Sequence, residues 1–235
     1  MDRDRPFDVE LGTAAVSERN FLSQVYFWMA MGLGLTGIVA GWTGLNPSIA
    51  VGLARNFGLF LILAIAQVGL VIWLSSQILQ LSLLTATIGF SIYATINGIL
   101  FSSIFLIYTS ASIASTFFVT AGMFGAVSLY GFVTKRDLTS VGSFSFMALI
   151  GLILASIVNW FFKNPVFYWI ITYAGIAIFV GLTAYDTQKI KLIHQQGFET
   201  GDVLKKMALL GALTLYLDFI NLFLLLLRVM GRRRQ

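Results

Sequence analysis

Seven apolar runs, each long enough to cross a lipid bilayer as a helix, fill nearly all of this 235-residue chain. A spanning helix needs about 20 mainly apolar residues. The runs cover 21–41, 57–78, 83–108, 112–133, 142–162, 166–186 and 207–229. The breaks between them are short: the turn-prone WTGLNPS, the surroundings of Gln80 and Thr109, the charged turn TKRD, and KNP. Backbone groups in hydrocarbon are satisfied only within helices or closed barrels, and the ten-residue alternation of barrel strands is absent. The expectation is an all-α integral membrane protein, a seven-transmembrane-helix bundle. It divides into a polar N-terminal tail over 1–20, a single transmembrane domain over 21–230 and a basic tail over 231–235.

Composition narrows the chemistry. Charged residues make up 11% of the chain, against about 25% in soluble domains. With no cysteine, disulfides, thiolate nucleophiles and cysteine-based metal sites are excluded. The one histidine, His194, lies in KIKLIHQQG, read as a solvated loop. The first twenty residues mix both charge signs and lack the apolar core of a secretory signal, so they are read as a retained tail. The net charge of +5 is read as membrane orientation and not as a nucleic-acid footprint, because basic residues flank spans for topological reasons. With seven full crossings, nine basic residues fall on the N-terminal side and six on the other. This favours a cytoplasmic N-terminus. A re-entrant last segment would change that balance to thirteen against two, so charge and run length disagree about the side on which the tail lies.

Small residues recur four apart at Ala30 and Gly34, Gly37 and Gly41, Ala121 and Gly125, and Gly151 and Ala155. That spacing permits close helix approach. Trp42, Trp160, Tyr168 and Trp169 lie near run ends, as interfacial belts do, and Arg228 is placed to snorkel to the interface.

Two lone aspartates stand inside the last two runs, Asp186 in GLTAYDTQ and Asp218 in LTLYLDFINLFLLLL. A carboxylate within a span costs roughly 2.5–3.5 kcal/mol on insertion scales and therefore faces a polar cavity or partner. Asp218 lies eleven residues past Met207, roughly 16 Å into a hydrocarbon layer of about 30 Å. If the sixth helix continues through TQKIKLIH, Asp186 reaches a similar depth. Two carboxylates held close in low dielectric do not both ionise readily, so such a pair shares a proton and titrates as a unit. It can bind a hard cation such as Ca²⁺, act as a proton-controlled latch between helices, or activate water as aspartic proteases do. The plain alternative is that each Asp bonds a neighbouring helix. Asn221, three residues after Asp218, shares its face. Tyr185 and Tyr216 either hydrogen-bond the site or simply pack. Gln67, Asn97 and Asn159 are read as interhelical hydrogen-bonding residues.

The segments GLTAYDTQKIK and GALTLYLDFINLFLLLLR, with IASTFFVTAGMFGAVSLYGFVTKRDL, resemble the Bax inhibitor-1 family, closely its bacterial inner-membrane branch. The resemblance implies a bundle whose last helix is central and wrapped by six others. It also implies a non-enzymatic, pH-sensitive calcium leak in the bacterial inner membrane, with Asp186 and Asp218 as proton sensor and Ca²⁺ ligands and no cofactor beyond the transported ion. Bacterial relatives latch an arginine near the end of the second helix onto the pair. The corresponding WLSSQILQ, 73–80, has no basic residue, so that latch does not carry over. Beyond the bilayer, the alternative function is a modulator that binds other membrane proteins, such as a protease. An intramembrane aspartyl protease fits less well. Tyr185-Asp186 satisfies half of its signature, but LTLYL before Asp218 lacks the paired glycines.

Overall fold

The computed structural model describes residues 5–195 and 201–234. Residues 1–4, 196–200 and Gln235 lie outside that description, and with them the first part of the expected polar tail. Among the described residues there are nine helices: α1 (Arg5–Leu45), α2 (Pro47–Arg55), α3 (Phe57–Gln77), α4 (Leu83–Phe101), α5 (Ile104–Ile107), α6 (Ser110–Val133), α7 (Thr139–Phe162), α8 (Pro165–Gln195) and α9 (Asp202–Met230). Seven segments, with α4 and α5 together forming one of them, are long and apolar enough to cross a membrane.

Their boundaries follow from local chemistry. Asn56 caps α3 by accepting from the Leu59 amide at 3.0 Å, Ser82 caps α4 through Thr85, and Thr109 caps α6 through Ser112. Such caps satisfy amides that the first helical turn leaves without partners. WTGLNPS is not the open turn expected of it. The helix runs to Leu45, Asn46 alone is extended, and Pro47 starts α2, because proline at the first helical position gives up an amide that has no intrahelical partner there. The third run breaks at Ser102 and Ser103, where α4 ends and α5 begins. The sixth continues nine residues past Asp186 to Gln195. KIKLIH is therefore helix and not loop, since Ile190 is buried and Lys191 has partners on two other helices. The side chain of His194 is outside the described set.

α9 is the axis of the bundle. Its most apolar window is 72% buried, against 6% for α3. It packs on α1, α4, α6 and α8, with Leu209, Leu213, Leu215, Tyr216, Leu222 and Leu227 fully enclosed. The outer helices present large apolar side chains outward, such as Phe57 and Ile62 on α3 and Phe144 and Leu154 on α7. α9 is unbroken over 29 residues, about 43 Å at a helical rise of about 1.5 Å per residue. That is long enough for a full crossing, with no break of the kind a re-entrant segment needs, and the basic tail lies at the end of α9 opposite its start at Asp202.

The fourfold small-residue pairs are not the close contacts. A Cβ added at Gly34, Gly37, Gly41, Gly125 or Gly151 would meet nothing within 4 Å, whereas one at Gly131 would fall on the Ala184 carbonyl and one at Gly142 on the Tyr185 ring. In a glycine-rich chain the spacing arises on outward faces as readily as on inward ones.

Candidate functional site

Asp186 on α8 and Asp218 on α9 bring their carboxyl groups within hydrogen-bonding reach of each other. A bond between them requires one proton on the pair. Asp218 is 5% exposed and its Oδ2 is buried without a hydrogen-bond partner, while Asp186 is half-buried. Both line an open cavity of about 580 Å³ between α7, α8 and α9, whose walls include Leu152, Leu182, Thr214 and Leu217 and which reaches Arg228. The cavity exists because α7 packs on α8 and leaves space between itself and α9.

Glycines bring α8 close to its neighbours. Gly131 of α6 faces the backbone of Ala184, two residues before Asp186, and Gly142 of α7 faces Tyr185. Below the pair, Gln188 ties α8 to the α6–α7 turn, accepting from the Leu138 amide at 2.9 Å and donating to the Arg136 carbonyl at 2.8 Å. Lys191 donates to the Phe132 carbonyl at 3.1 Å and lies 3.7 Å from Glu18 of α1. These contacts fix the register of the helix that carries Asp186.

The supporting residues separate. Asn221 lines the same cavity as the pair, but its Nδ2 donates to its own helix at Leu217, at 2.8 Å. Tyr216 sits two positions before Asp218, which in a helix places it on nearly the opposite face. Its hydroxyl shares a 2.7 Å hydrogen bond with Thr36 and its ring packs against Phe90 and Tyr93. Tyr185 packs on Gly142 with Lys189 over its ring at 5.8 Å. Asn97 donates to the Tyr93 carbonyl of its own helix, and Asn159 closes the α7–α8 turn by accepting from the Asn164 amide at 3.0 Å. Neither therefore makes the interhelical bond expected of it. The buried Gln67 Oε1 has no partner.

Comparison with known proteins shows the family of the chain. The family model described as Inhibitor of apoptosis-promoting Bax1 matches residues 18–235. Inner membrane protein YbhL of Escherichia coli K12 is 54% identical over 219 residues, covering 92% of this chain and 93% of its own length. The chain belongs to the Bax inhibitor-1 family. Uncharacterized protein RP147 of Rickettsia prowazekii is 44% identical over 217 residues, covering 92% of this chain and 91% of its own, and an uncharacterized protein of Borreliella burgdorferi is 41% identical over 217 residues, covering 92% and 94%.

Within this Bax inhibitor-1 member the end of the second span, which lacks the arginine of the resemblance, is held from the other direction. Lys206, at the start of α9, donates to the carbonyls of Leu79 at 2.7 Å and Leu81 at 3.1 Å. Sequence reasoning missed this contact. Two adjacent lysines just before the last apolar run were its signal, but nothing local shows that one of them reaches the turn after α3.

Proposed function

We propose that this Bax inhibitor-1 protein is a multi-pass protein of the bacterial inner membrane that leaks Ca²⁺ under control of a proton shared between Asp186 and Asp218. The observation that carries the reading is the buried Oδ2 of Asp218, which lacks a partner and sits beside a second carboxyl on the wall of a cavity. A buried acceptor left unpaired costs about 1–3 kcal/mol and more when charged, so its retention is best explained by a proton or a passing cation that satisfies it. The inner-membrane assignment draws on the printed name of YbhL. The nine-to-six distribution of basic residues supports a cytoplasmic N-terminus.

With one proton on the pair, α8 and α9 are joined by a carboxyl–carboxylate hydrogen bond. Without it, two like charges repel across the interface and present acceptor oxygens to the cavity. Ca²⁺ takes 6–8 oxygens, and two carboxylates supply at most four. Among the described residues no group of three or more His, Cys, Asp or Glu could complete a cage. The pair therefore suits a partly hydrated cation in transit better than a resident one. The activity is non-enzymatic, with no cofactor.

The test is Ca²⁺ efflux from proteoliposomes across a pH series. Wild-type protein passes the ion with a pH dependence that Asp186→Asn and Asp218→Asn each change. Absence of flux, or identical flux and pH dependence in both variants, overturns the reading, and a stoichiometric membrane-protein partner found alongside absent flux would replace it with a modulator.

A further inference from the structure

The end of the bundle that holds the C-terminal tail carries Arg55, Lys163, Arg228, Arg232, Arg233 and Arg234, and none of the ten acidic residues of the chain falls there. Three of these cations, Lys163, Arg228 and Arg233, line one cavity of about 640 Å³ together with Trp160, Tyr168 and Trp169. Its depth follows from the helix. Arg228 is ten residues beyond Asp218, about 15 Å along the axis, so with Asp218 near the midplane Arg228 stands at the edge of a hydrocarbon layer about 30 Å thick. Tryptophan and tyrosine concentrate at that level.

The cations are positioned, not splayed. Arg233 forms an antiparallel bridge with Tyr108. Around it the Thr109 amide donates to the Arg232 carbonyl at 3.1 Å, the Arg234 amide to the Ile107 carbonyl at 2.9 Å, and the Arg232 amide to the Ser112 hydroxyl at 2.8 Å. The Arg234 guanidinium donates to the Phe105 carbonyl at 3.1 Å and is thereby directed away from the cavity that Arg233 lines. The Arg228 guanidinium lies 5.6 Å from the centre of the Tyr168 ring. Lys163 ends α7 in the left-handed region, with φ at 51°, a conformation that costs a non-glycine residue about 1 kcal/mol or more. Asn159 and Asn164 clamp that turn. A tail folded back by four hydrogen bonds and a lysine held at positive φ thus converge on one hollow that no Asp or Glu among the described residues lines.

We infer that this cavity binds the phosphate of an anionic phospholipid headgroup from the leaflet at the tail end of the bundle. Guanidinium and ammonium groups recognise phosphate through charge-assisted hydrogen bonds, and the indole and phenol rings border the acyl–headgroup boundary where that phosphate lies. This cavity adjoins the one that holds the aspartate pair, sharing Ser156, Ile171 and Arg228 with it, but the proposal does not depend on the leak reading.

Native mass spectrometry of the full chain, released from detergent with phosphatidylglycerol or phosphatidylcholine added, tests it. The expected result is one retained phosphatidylglycerol per chain in preference to phosphatidylcholine, weakened about fivefold by Lys163→Gln and by Arg233→Gln, the factor for one basic group near an anionic surface. Arg55→Gln, at the same end but outside the cavity, leaves retention unchanged. Thermal unfolding of each variant identifies any that is misfolded, and Lys163→Gln, at an exposed helix end, is the one that tests the cavity with least disturbance to the tail. Equal retention of the two lipids, or equal losses in Arg55→Gln and Arg233→Gln, overturns the proposal. Displacement of the lipid by inorganic phosphate at matched concentration overturns the lipid source and assigns the site to a free phosphate.

Discussion

Replacing Gly131 by alanine tests whether glycine contacts hold the helix of Asp186 in place. A methyl at this position falls on the carbonyl oxygen of Ala184, with the carbonyl carbon and Cα of the same residue at 3.0 and 3.1 Å. All three are backbone atoms, so no rotamer change relieves the overlap and α6 and α8 must separate. Forcing extra volume into a packed interface costs about 1–3 kcal/mol. Gly125 lies on the same helix and gives the matched control, because a methyl there meets nothing within 4 Å. Both substitutions gain the same helix propensity, about 1 kcal/mol, which cancels in the comparison. Gly131→Ala is therefore expected to be less stable than Gly125→Ala by about 1–3 kcal/mol, roughly 5- to 150-fold in the folding equilibrium. Reversible unfolding in mixed micelles, followed by circular dichroism, measures the difference. Equal stability, or a more stable Gly131→Ala, would refute the claim that this contact sets the spacing of α6 and α8.

Three further outcomes are expected. Lys206→Met removes both hydrogen bonds to the turn after α3, so amides around 80–82 exchange faster with solvent while the core of α9 is unaffected; unchanged exchange in that turn would count against the tether. Gln188→Ala leaves the Leu138 amide and the Arg136 carbonyl without their partner and should cost about 0.5–1.5 kcal/mol, with Gln188→Glu recovering the acceptor half alone. Asp137, in the loop before α7, accepts from the Thr139 amide at 2.8 Å, and the Thr139 hydroxyl followed by that amide holds its carboxyl below the ordinary value of 3.8. The charged form is the bonded one, so its contribution is present above the ordinary value and is lost as pH falls through the lowered one. Protection of the Thr139 amide should therefore decline in strong acid for wild type and stay flat in Asp137→Asn; the same decline in both would exclude Asp137 as the cause.

The number and order of the spans were legible because bilayer thickness imposes a length that apolar runs report directly, whereas the ends were not where polar residues continue a helix, as from Asp186 to Gln195. The two aspartates were legible for the complementary reason, since a carboxylate stands out in an apolar frame. What the runs concealed was facing. Every side of such a helix is apolar, so neither Tyr216 pointing to Thr36 nor the open faces of Gly34 and Gly125 could be read from period or spacing. Contacts between distant segments were equally hidden. Lys206 reaches a turn 125 residues away in sequence, and Arg233 reaches the cavity only because the tail folds back onto Tyr108. KIKLIH was misread because its three polar residues outweighed Ile190, which the bundle buries.

The central claim is that Asp186 and Asp218 act as one titrating unit. Infrared difference titration of the protein in lipid, with aspartate carboxyl carbons isotopically labelled, follows the protonated-carboxyl stretch directly. Wild type should lose it in two steps that belong to the pair, and Asp186→Asn or Asp218→Asn should each leave a single step displaced from both. If removing either aspartate leaves the other titrating where it did in the wild type, the two are independent and the account fails.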